Sequence, residues 1–317
     1  DCSKMATIEE LQKPYEDRLE KVFPCNIETS SEPVEAYAYQ AASRPAPAIK
    51  AASPRVLIPV FPGTNCEYDT QRAFEKAGAN TDIFVINNLS SVAIEESVAE
   101  FVRRLKKAQI VMIPGGFSGG DEPDGSGKFI TAFFRNPAIK DGVHELLKNR
   151  DGLMLGICNG FQALVKLGLV PYGEIVEMAD DSPTLTFNSI GRHQSRMVYT
   201  RIASNKSPWL AHTQVGDYHT VPISHGEGRF VASDEWIRRL AENGQIATQY
   251  IDLNGQPTYD IRFNPNMSVA AIEGITSPDG RVFGKMAHSE RTGDNIAKNI
   301  AGDKDQMIFK SGVEYFR

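Results

Sequence analysis

An α/β fold, with a mostly parallel central sheet flanked by helices and additional antiparallel strands in the second half, is what this sequence predicts. Three observations carry the prediction. Short apolar runs alternate with amphipathic segments from Arg55 to about residue 170, as a parallel sheet covered on both faces requires. Glycine-rich turns follow two of those runs, at Pro114-Gly115-Gly116 and at Gly156-Ile157-Cys158-Asn159-Gly160. Beyond Pro171 the helical pattern gives way to extended runs split by tight turns such as Asn254-Gly255 and Ser277-Pro278-Asp279-Gly280.

Taken in order, residues 8–22 read as an amphipathic helix, and 30–54 are rich in Ala, Ser and Pro without sustained periodicity. Residues 1–54 are therefore set apart as a tether or wrapping linker, and the folded domain is expected over 55–317. Residues 56–61 form a first strand despite Pro59, and 66–77 a helix ended by Gly78. Residues 82–86 form a second strand, and 93–107 a long helix after the caps Ser90 and Ser91. A third strand, 110–113, runs into the glycine loop, and a helix over 143–148 precedes the elbow at Cys158. Beyond it, 161–167 is a helix stopped by Gly168. Residues 184–188, 196–202, 229–232 and 245–251 read as strands, 234–242 as a helix closed by Asn243-Gly244, and 281–290 as extended.

Composition narrows the function. The chain has 317 residues, a formal charge of −6 and 41% hydrophobic content, which argues against a nucleic-acid surface; the run Arg103, Arg104, Lys106 and Lys107 sits at a helix end, where cations oppose the dipole. No apolar stretch reaches the length of a membrane span and no secretory signal opens the chain, so no membrane partner is expected. The cysteines at 2, 25, 66 and 158 have neither zinc-site nor disulfide spacing, and a reducing cytoplasm is expected, with no metal.

Residues 152–162 form the most informative stretch. An apolar strand, a turn carrying Cys158 between Gly156 and Gly160, and a helix are the parts of a nucleophile elbow with a thiol in place of the hydroxyl. The helix N-terminus favours thiolate. A small buried cysteine is the plainer alternative. His288 and Glu290, two apart in an extended run, would face one way and supply a base with its orienting carboxylate; His225 in the polar stretch 222–230 is a second candidate for the base. The loop 115–127 could present amides to an oxyanion. It is not a P-loop, because Phe129 follows Gly127-Lys128 and because Asp121, Glu122 and Asp124 would repel phosphate. His144, on an otherwise ordinary helix, reads as solvated, and His193, His212 and His219 fall into no interpretable pattern.

Five ordered motifs then carry a resemblance: Phe61-Pro62-Gly63-Thr64-Asn65-Cys66, Pro114-Gly115-Gly116-Phe117-Ser118, Gly156-Ile157-Cys158-Asn159-Gly160-Phe161-Gln162, His225-Gly226-Glu227-Gly228-Arg229-Phe230 and Met286-Ala287-His288-Ser289-Glu290-Arg291. Over residues 55–317 the chain resembles the class I (triad) glutamine amidotransferase domain of the phosphoribosylformylglycinamidine synthases, which implies a flavodoxin-like glutaminase fold. The resemblance implies Cys158 as nucleophile toward the side-chain amide of L-glutamine, His288 as acid and base, Glu290 as its orienter, the amides of Gly116 and Asn159 as the oxyanion hole, and Gln162, His225 and Gly226 as substrate contacts. Ser289 stands where the family commonly has Pro. By the same resemblance the partner is a synthetase domain of the same polypeptide, where ATP and Mg belong; this domain takes no cofactor, and residues 1–54 are the trailing end of that synthetase portion and its linker, making the chain a C-terminal fragment. The alternatives are another cysteine hydrolase on the same fold, a peptidase or deglycase, and a non-catalytic binding module.

Overall fold

In a computed structural model, residues 5–24, 27, 29–120 and 125–317 are described; Cys2, Cys25 and the acidic positions Asp121, Glu122 and Asp124 lie outside the described residues. Thr7 starts the first helix, α1 (Ile8–Glu16), through a capping box in which its Oγ1 accepts from the Glu10 N–H at 3.1 Å while its own N–H donates to Glu10 Oε2 at 2.8 Å. The helix is shorter than the periodicity predicts and passes into a 3₁₀ turn at Asp17–Leu19. None of its side chains is buried, and Ile8, Leu11 and Tyr15 are exposed.

The alternation from Arg55 onward is then read out element by element: β1 (Arg55–Val60), α2 (Glu67–Lys76), β2 (Asn80–Val85), α3 (Ser91–Leu105), β3 (Ile110–Ile113), α4 (Lys128–Phe134), α5 (Pro137–Lys148), β4 (Leu153–Ile157) and α6 (Asn159–Leu167). Ser90 caps α3 by accepting from the Ala93 N–H at 3.1 Å. Pro59 is tolerated because β1 pairs with β3 only at Val56 and Leu57, so no ladder bond on that side asks for the missing N–H. Every residue of β3 and β4 is buried, which is why these strands are continuous apolar runs, broken only by Gly156, rather than alternating ones.

The second half follows as α7 (Leu169–Tyr172), β5 (Thr184–Phe187), β6 (Gln194–Ile202), β7 (Tyr218–His225), β8 (Glu227–Val231), α8 (Asp234–Glu242), β9 (Ile246–Tyr250), β10 (Ile272–Thr276), β11 (Val282–Lys285) and α9 (Ile308–Glu314). Among the described residues one nine-stranded sheet runs in the order β2-β1-β3-β4-β11-β10-β9-β6-β7, with β5 and β8 paired apart from it. β2, β1, β3, β4 and β11 are parallel neighbours, and β10, β9, β6 and β7 add antiparallel. The predicted fold class is the one observed.

Two local readings are corrected. Residues 222–230 are not a polar loop: they belong to β7 and β8, separated by Gly226 alone. Pro222 disguised β7, but β7 is an edge strand, where a residue without an N–H costs least. The extended run 281–290 also ends early. Strand β11 stops at Lys285, and His288 and Glu290 come from the turn beyond it.

Residues 34–53 lie along the domain rather than away from it. Tyr37 N donates to Gln249 Oε1 at 3.0 Å, Tyr39 N to the Ala203 carbonyl at 2.9 Å, Ala48 N to Asp151 Oδ2 at 3.0 Å, and Ala51 N to the Phe316 carbonyl at 2.7 Å. A segment without helical or strand periodicity thus satisfies its backbone on the body it crosses. In the core Phe74 of α2 meets Phe309 of α9 edge to face at 4.9 Å. Burying each such ring contributes roughly 1.5–3 kcal/mol, and the contact ties the end of the chain to its first helix layer.

Candidate active site

Four parallel strands deliver the site from their C-terminal ends, where open α/β sheets place ligands. Strand β1 leads to Cys66, β3 to Gly115 and Gly116, β4 to Cys158, and β11 through Met286 and Ala287 to His288. A Cβ built on Gly115 would lie 2.7 Å from Cε1 of His288, 3.2 Å from Sγ of Cys66 and 3.4 Å from Cβ of Cys158. That glycine is the floor on which the three side chains meet.

Cys158 sits between β4 and α6 at φ 54°, ψ −107°, a conformation that costs a non-glycine residue about 1–3 kcal/mol. Its neighbours make the elbow possible. A Cβ on Gly160 would stand 2.0 Å from the Ile113 carbonyl oxygen, and one on Gly156 2.7 Å from that of Gly160, so any larger residue would push α6 off the sheet. The Cys158 N–H donates to the Lys285 carbonyl at 2.9 Å and fixes the strained residue against β11. The residue is 4% exposed, and its thiol lies 3.5 Å from the Ser224 carbonyl.

His288 Nδ1 lies 2.6 Å from Glu290 Oε1, both side chains being buried. A carboxylate at that distance accepts the Nδ1 proton and leaves the Nε2 lone pair free; Nε2 has no hydrogen-bond partner. The turn is held by the His288 N–H, which donates to the Pro222 carbonyl at 2.8 Å, and by Ser289 Oγ, which donates to Gln306 Oε1 at 2.6 Å. Ser289 therefore does with a hydrogen bond what a rigid ring would do by geometry. Burial disfavours charge on His288, but Glu290 and Cys158 together outweigh it and hold its pKa well above the usual imidazole value. For Glu290, burial opposes charge and the facing imidazole prevails, so its pKa is lowered.

The glycine loop is shaped by backbone. Gly116 has φ 147°, and a Cβ there would meet the Gly63 carbonyl oxygen at 2.5 Å. Thr64 and Gly116 bridge through two bonds, Phe117 N–H to Gly63 and Asn65 N–H to Gly115, neither of which uses the Gly116 N–H. Asn159 Oδ1 accepts from the Ser118 N–H at 3.1 Å, tying the loop to the start of α6. Gln162 is engaged internally: Oε1 accepts from Asn159 Nδ2 at 2.9 Å and Nε2 donates to the Glu227 carbonyl. It braces Asn159 against β8 rather than offering its amide to open space. Gly226, between β7 and β8, turns its carbonyl to the Asn188 N–H at 2.9 Å.

His225 ends β7, 2% exposed, with Nδ1 3.1 Å from Asn188 Oδ1 and Nε2 unpartnered. Burial, reinforced by the positive fields of His288 and His193, pushes its pKa down to about 3. It is therefore a neutral imidazole at neutral pH. His193, uninterpreted in sequence, touches Ser224 Oγ with Nε2 at 3.0 Å and lies 5.9 Å from the Phe117 ring. The depressed pKa of His225 sets a pH dependence. Above about 6.5 both folded and unfolded states hold it neutral; as pH falls from there toward 3 the unfolded chain takes up the proton first, and stability drops by at most about 1.4 kcal/mol per pH unit. His225→Asn is expected to flatten the acid limb of stability over that window, measured as urea midpoints between pH 4 and 7.

Sequence reasoning missed two residues. Cys66, fully buried, lies 3.9 Å from His288 Nδ1, and Arg291 Nη2 donates to its sulfur at 3.2 Å. Both stood inside quoted motifs, but only the return of β11 beside β4 brings residue 66 to residue 288.

Fold and site together define an α/β protein on a mixed sheet, with a cysteine elbow and a buried histidine–carboxylate pair at the C-terminal ends of its central parallel strands. The chain belongs to the CobB/CobQ-like glutamine amidotransferase domain family, which it matches over residues 53–316. It is 37% identical over 286 residues to phosphoribosylformylglycinamidine synthase subunit PurQ of Methanococcus maripaludis strain S2, covering 83% of this chain and 97% of that one. To the same subunit of Aquifex aeolicus it is 33% identical over 248 residues, covering 76% and 92%. A chain of the PurLQS structure from Thermotoga maritima shares the fold at a TM-score of 0.60 and 24% identity, covering 84% of this chain and all of that one. No helix among the described residues is long and apolar enough to cross a membrane.

Proposed function

We propose that this domain hydrolyses L-glutamine to glutamate and ammonia through Cys158, His288 and Glu290, and that the ammonia feeds the ATP-dependent synthesis of formylglycinamidine ribonucleotide in purine biosynthesis. The observation that carries the chemistry is the 2.6 Å His288–Glu290 pair beside the elbow of Cys158. Membership of the amidotransferase family and the likeness to PurQ subunits support the substrate and the pathway.

The facing carboxylate of Glu290 makes His288 a base, and its Nε2 takes the proton of Cys158 to give the thiolate. The thiolate attacks the side-chain amide carbon, and the carbonyl oxygen takes the negative charge, held by the backbone amides of Gly116 and Asn159. His288 gives its proton to the nitrogen, the C–N bond breaks, ammonia leaves and a glutamyl thioester remains. Neutral His288 then takes a proton from water, hydroxide attacks the thioester, and return of that proton to the pair releases glutamate and regenerates Cys158. Asn159 carries two duties, its amide toward the oxyanion and its side chain toward Ser118, and Gln162 keeps it in place. His225 and Gly226 line the glutamine side.

The consuming partner in this reading is a synthetase portion of the same polypeptide, which also holds ATP and Mg, and residues 1–54 are the stretch that joins it. The family match from residue 53 and the exposed apolar side chains of α1 fit a connecting role. Glu290→Gln tests the mechanism. It keeps the shape but removes the charge that orients and loads His288, so glutamate release should fall by roughly 10²–10⁴. The alkaline limb of kcat/KM should move to lower pH, because His288 then releases its proton more readily. An unchanged pH profile would remove Glu290 from the mechanism.

A further inference from the structure

We propose that Cys66, His288 and Glu290 form a binding site for a thiophilic divalent cation, Zn²⁺ above all, whose occupation switches the glutaminase off. One ligand atom from each residue lies within 4.8 Å of the others, and all three side chains are buried. Thiolate, imidazole and carboxylate are the three zinc donors of proteins, and a set of three protein ligands leaves the fourth tetrahedral position open, unlike the closed set of a structural zinc. Glu290 Oε2 is buried without a hydrogen-bond partner, while the Cys66 thiol donates to Asn65 Oδ1 at 3.1 Å and its sulfur accepts from Arg291 Nη2 at 3.2 Å, so a cation would displace the thiol proton and that donor bond. The Cys66 sulfur stands 3.9 Å from His288 Nδ1, close to the spacing of two ligands on one tetrahedral zinc at about 2.3 Å and 2.0 Å from sulfur and nitrogen.

Inhibition follows from which nitrogen is taken. Nδ1 now lies 2.6 Å from Glu290 Oε1, too close for both atoms to be ligands of one ion, so a cation would open that contact and stand between them. Nδ1 would then carry the metal. In a neutral ring the single proton moves to Nε2, the nitrogen that must accept the proton of Cys158. One ion thus removes the orienting carboxylate and reverses the tautomer. Cys66 takes no part in the proposed reaction steps; its contribution is the sulfur that turns a histidine–carboxylate pair into a chelate.

The site itself stands on geometry, and its inhibitory consequence rests on the glutaminase reading. In the full chain stripped of metal and carrying Cys158→Ser, so that the elbow thiol is no ligand, Co²⁺ titration under reducing, anaerobic conditions should give one equivalent of a thiolate-to-cobalt charge-transfer band. Adding Cys66→Ser should abolish the band, and Glu290→Gln, a smaller change, should weaken Co²⁺ binding at least about tenfold. Circular dichroism verifies that each variant is folded. With Cys158 intact, Zn²⁺ should inhibit glutamate release, and Cys66→Ser should raise the inhibitory concentration at least about tenfold relative to its own metal-free rate. A band that is absent in Cys158→Ser, or that survives Cys66→Ser, overturns the site. Absence of glutamate release by the metal-free wild type would instead sink the glutaminase reading and leave the cobalt result standing.

Discussion

Cys158→Ala is expected to abolish glutamate release, by roughly 10⁴–10⁶ in kcat, because the residues around it act as a unit built on its sulfur. It is equally expected to end covalent labelling by a glutamine-mimicking electrophile, read as loss of the adduct mass on the elbow peptide. The control is built into the structure. Cys66 is a second thiol on the same glycine floor, touching the same imidazole and facing Arg291. If the nucleophile were Cys66, the adduct would persist in Cys158→Ala and map to the β1–α2 turn; if it is Cys158, glutamate release and the adduct vanish together. Stability gives an independent reading. At φ 54° a Cβ is strained whatever its substituent, so Cys158→Ala should keep the strain and Cys158→Gly should relieve it, leaving the glycine variant about 1 kcal/mol more stable than the alanine one in urea unfolding. Equal stability would mean that the elbow stores no strain.

What could be read before folding, and what could not, divides along range of interaction. The elbow was legible because its requirements are local: an apolar strand, two glycines whose absent side chains admit the Ile113 carbonyl, and a helix with Gly168 behind it. Strand β3 and helix α8 were legible for the same reason, since their period and caps lie within the segment. Strand β7 was not. Pro222 reads as a turn until one knows that the strand lies at a sheet edge and that its carbonyl accepts the His288 N–H. Helix α4 begins at Lys128 straight after a glycine-rich loop with no side-chain cap, and so left no start signal. His288 and Glu290 were rightly paired from their spacing, although a turn and not a strand aligns them. Cys66 and Arg291 needed the parallel sheet to close before their distance meant anything.

The strongest case of information invisible in one dimension is Lys285, which reads as the polar end of a strand and is fully buried. Its Nζ lies 3.2 Å from Glu273 Oε1 and donates to the Ala287 carbonyl at 2.8 Å; Glu273 in turn accepts from the Ala287 N–H at 2.7 Å and from Thr248 Oγ1 at 2.5 Å. Both polar groups of Ala287, the residue before His288, are thus held by one buried ion pair. Burial lowers the pKa of Lys285 and the Glu273 carboxylate works against that, which marks the pair as costly to desolvate and dependent on its partner. Lys285→Met leaves a carboxylate buried with only neutral donors and should cost about 3–5 kcal/mol in unfolding free energy. Adding Glu273→Gln removes the stranded charge and should return most of that loss. If the pair served stability alone, the double variant would regain its turnover too. Because the pair also fixes the backbone that carries His288, the rescued protein should still release glutamate at least about tenfold more slowly, with kcat falling more than KM changes. A double variant as active as the wild type would reduce Lys285 and Glu273 to a packing device.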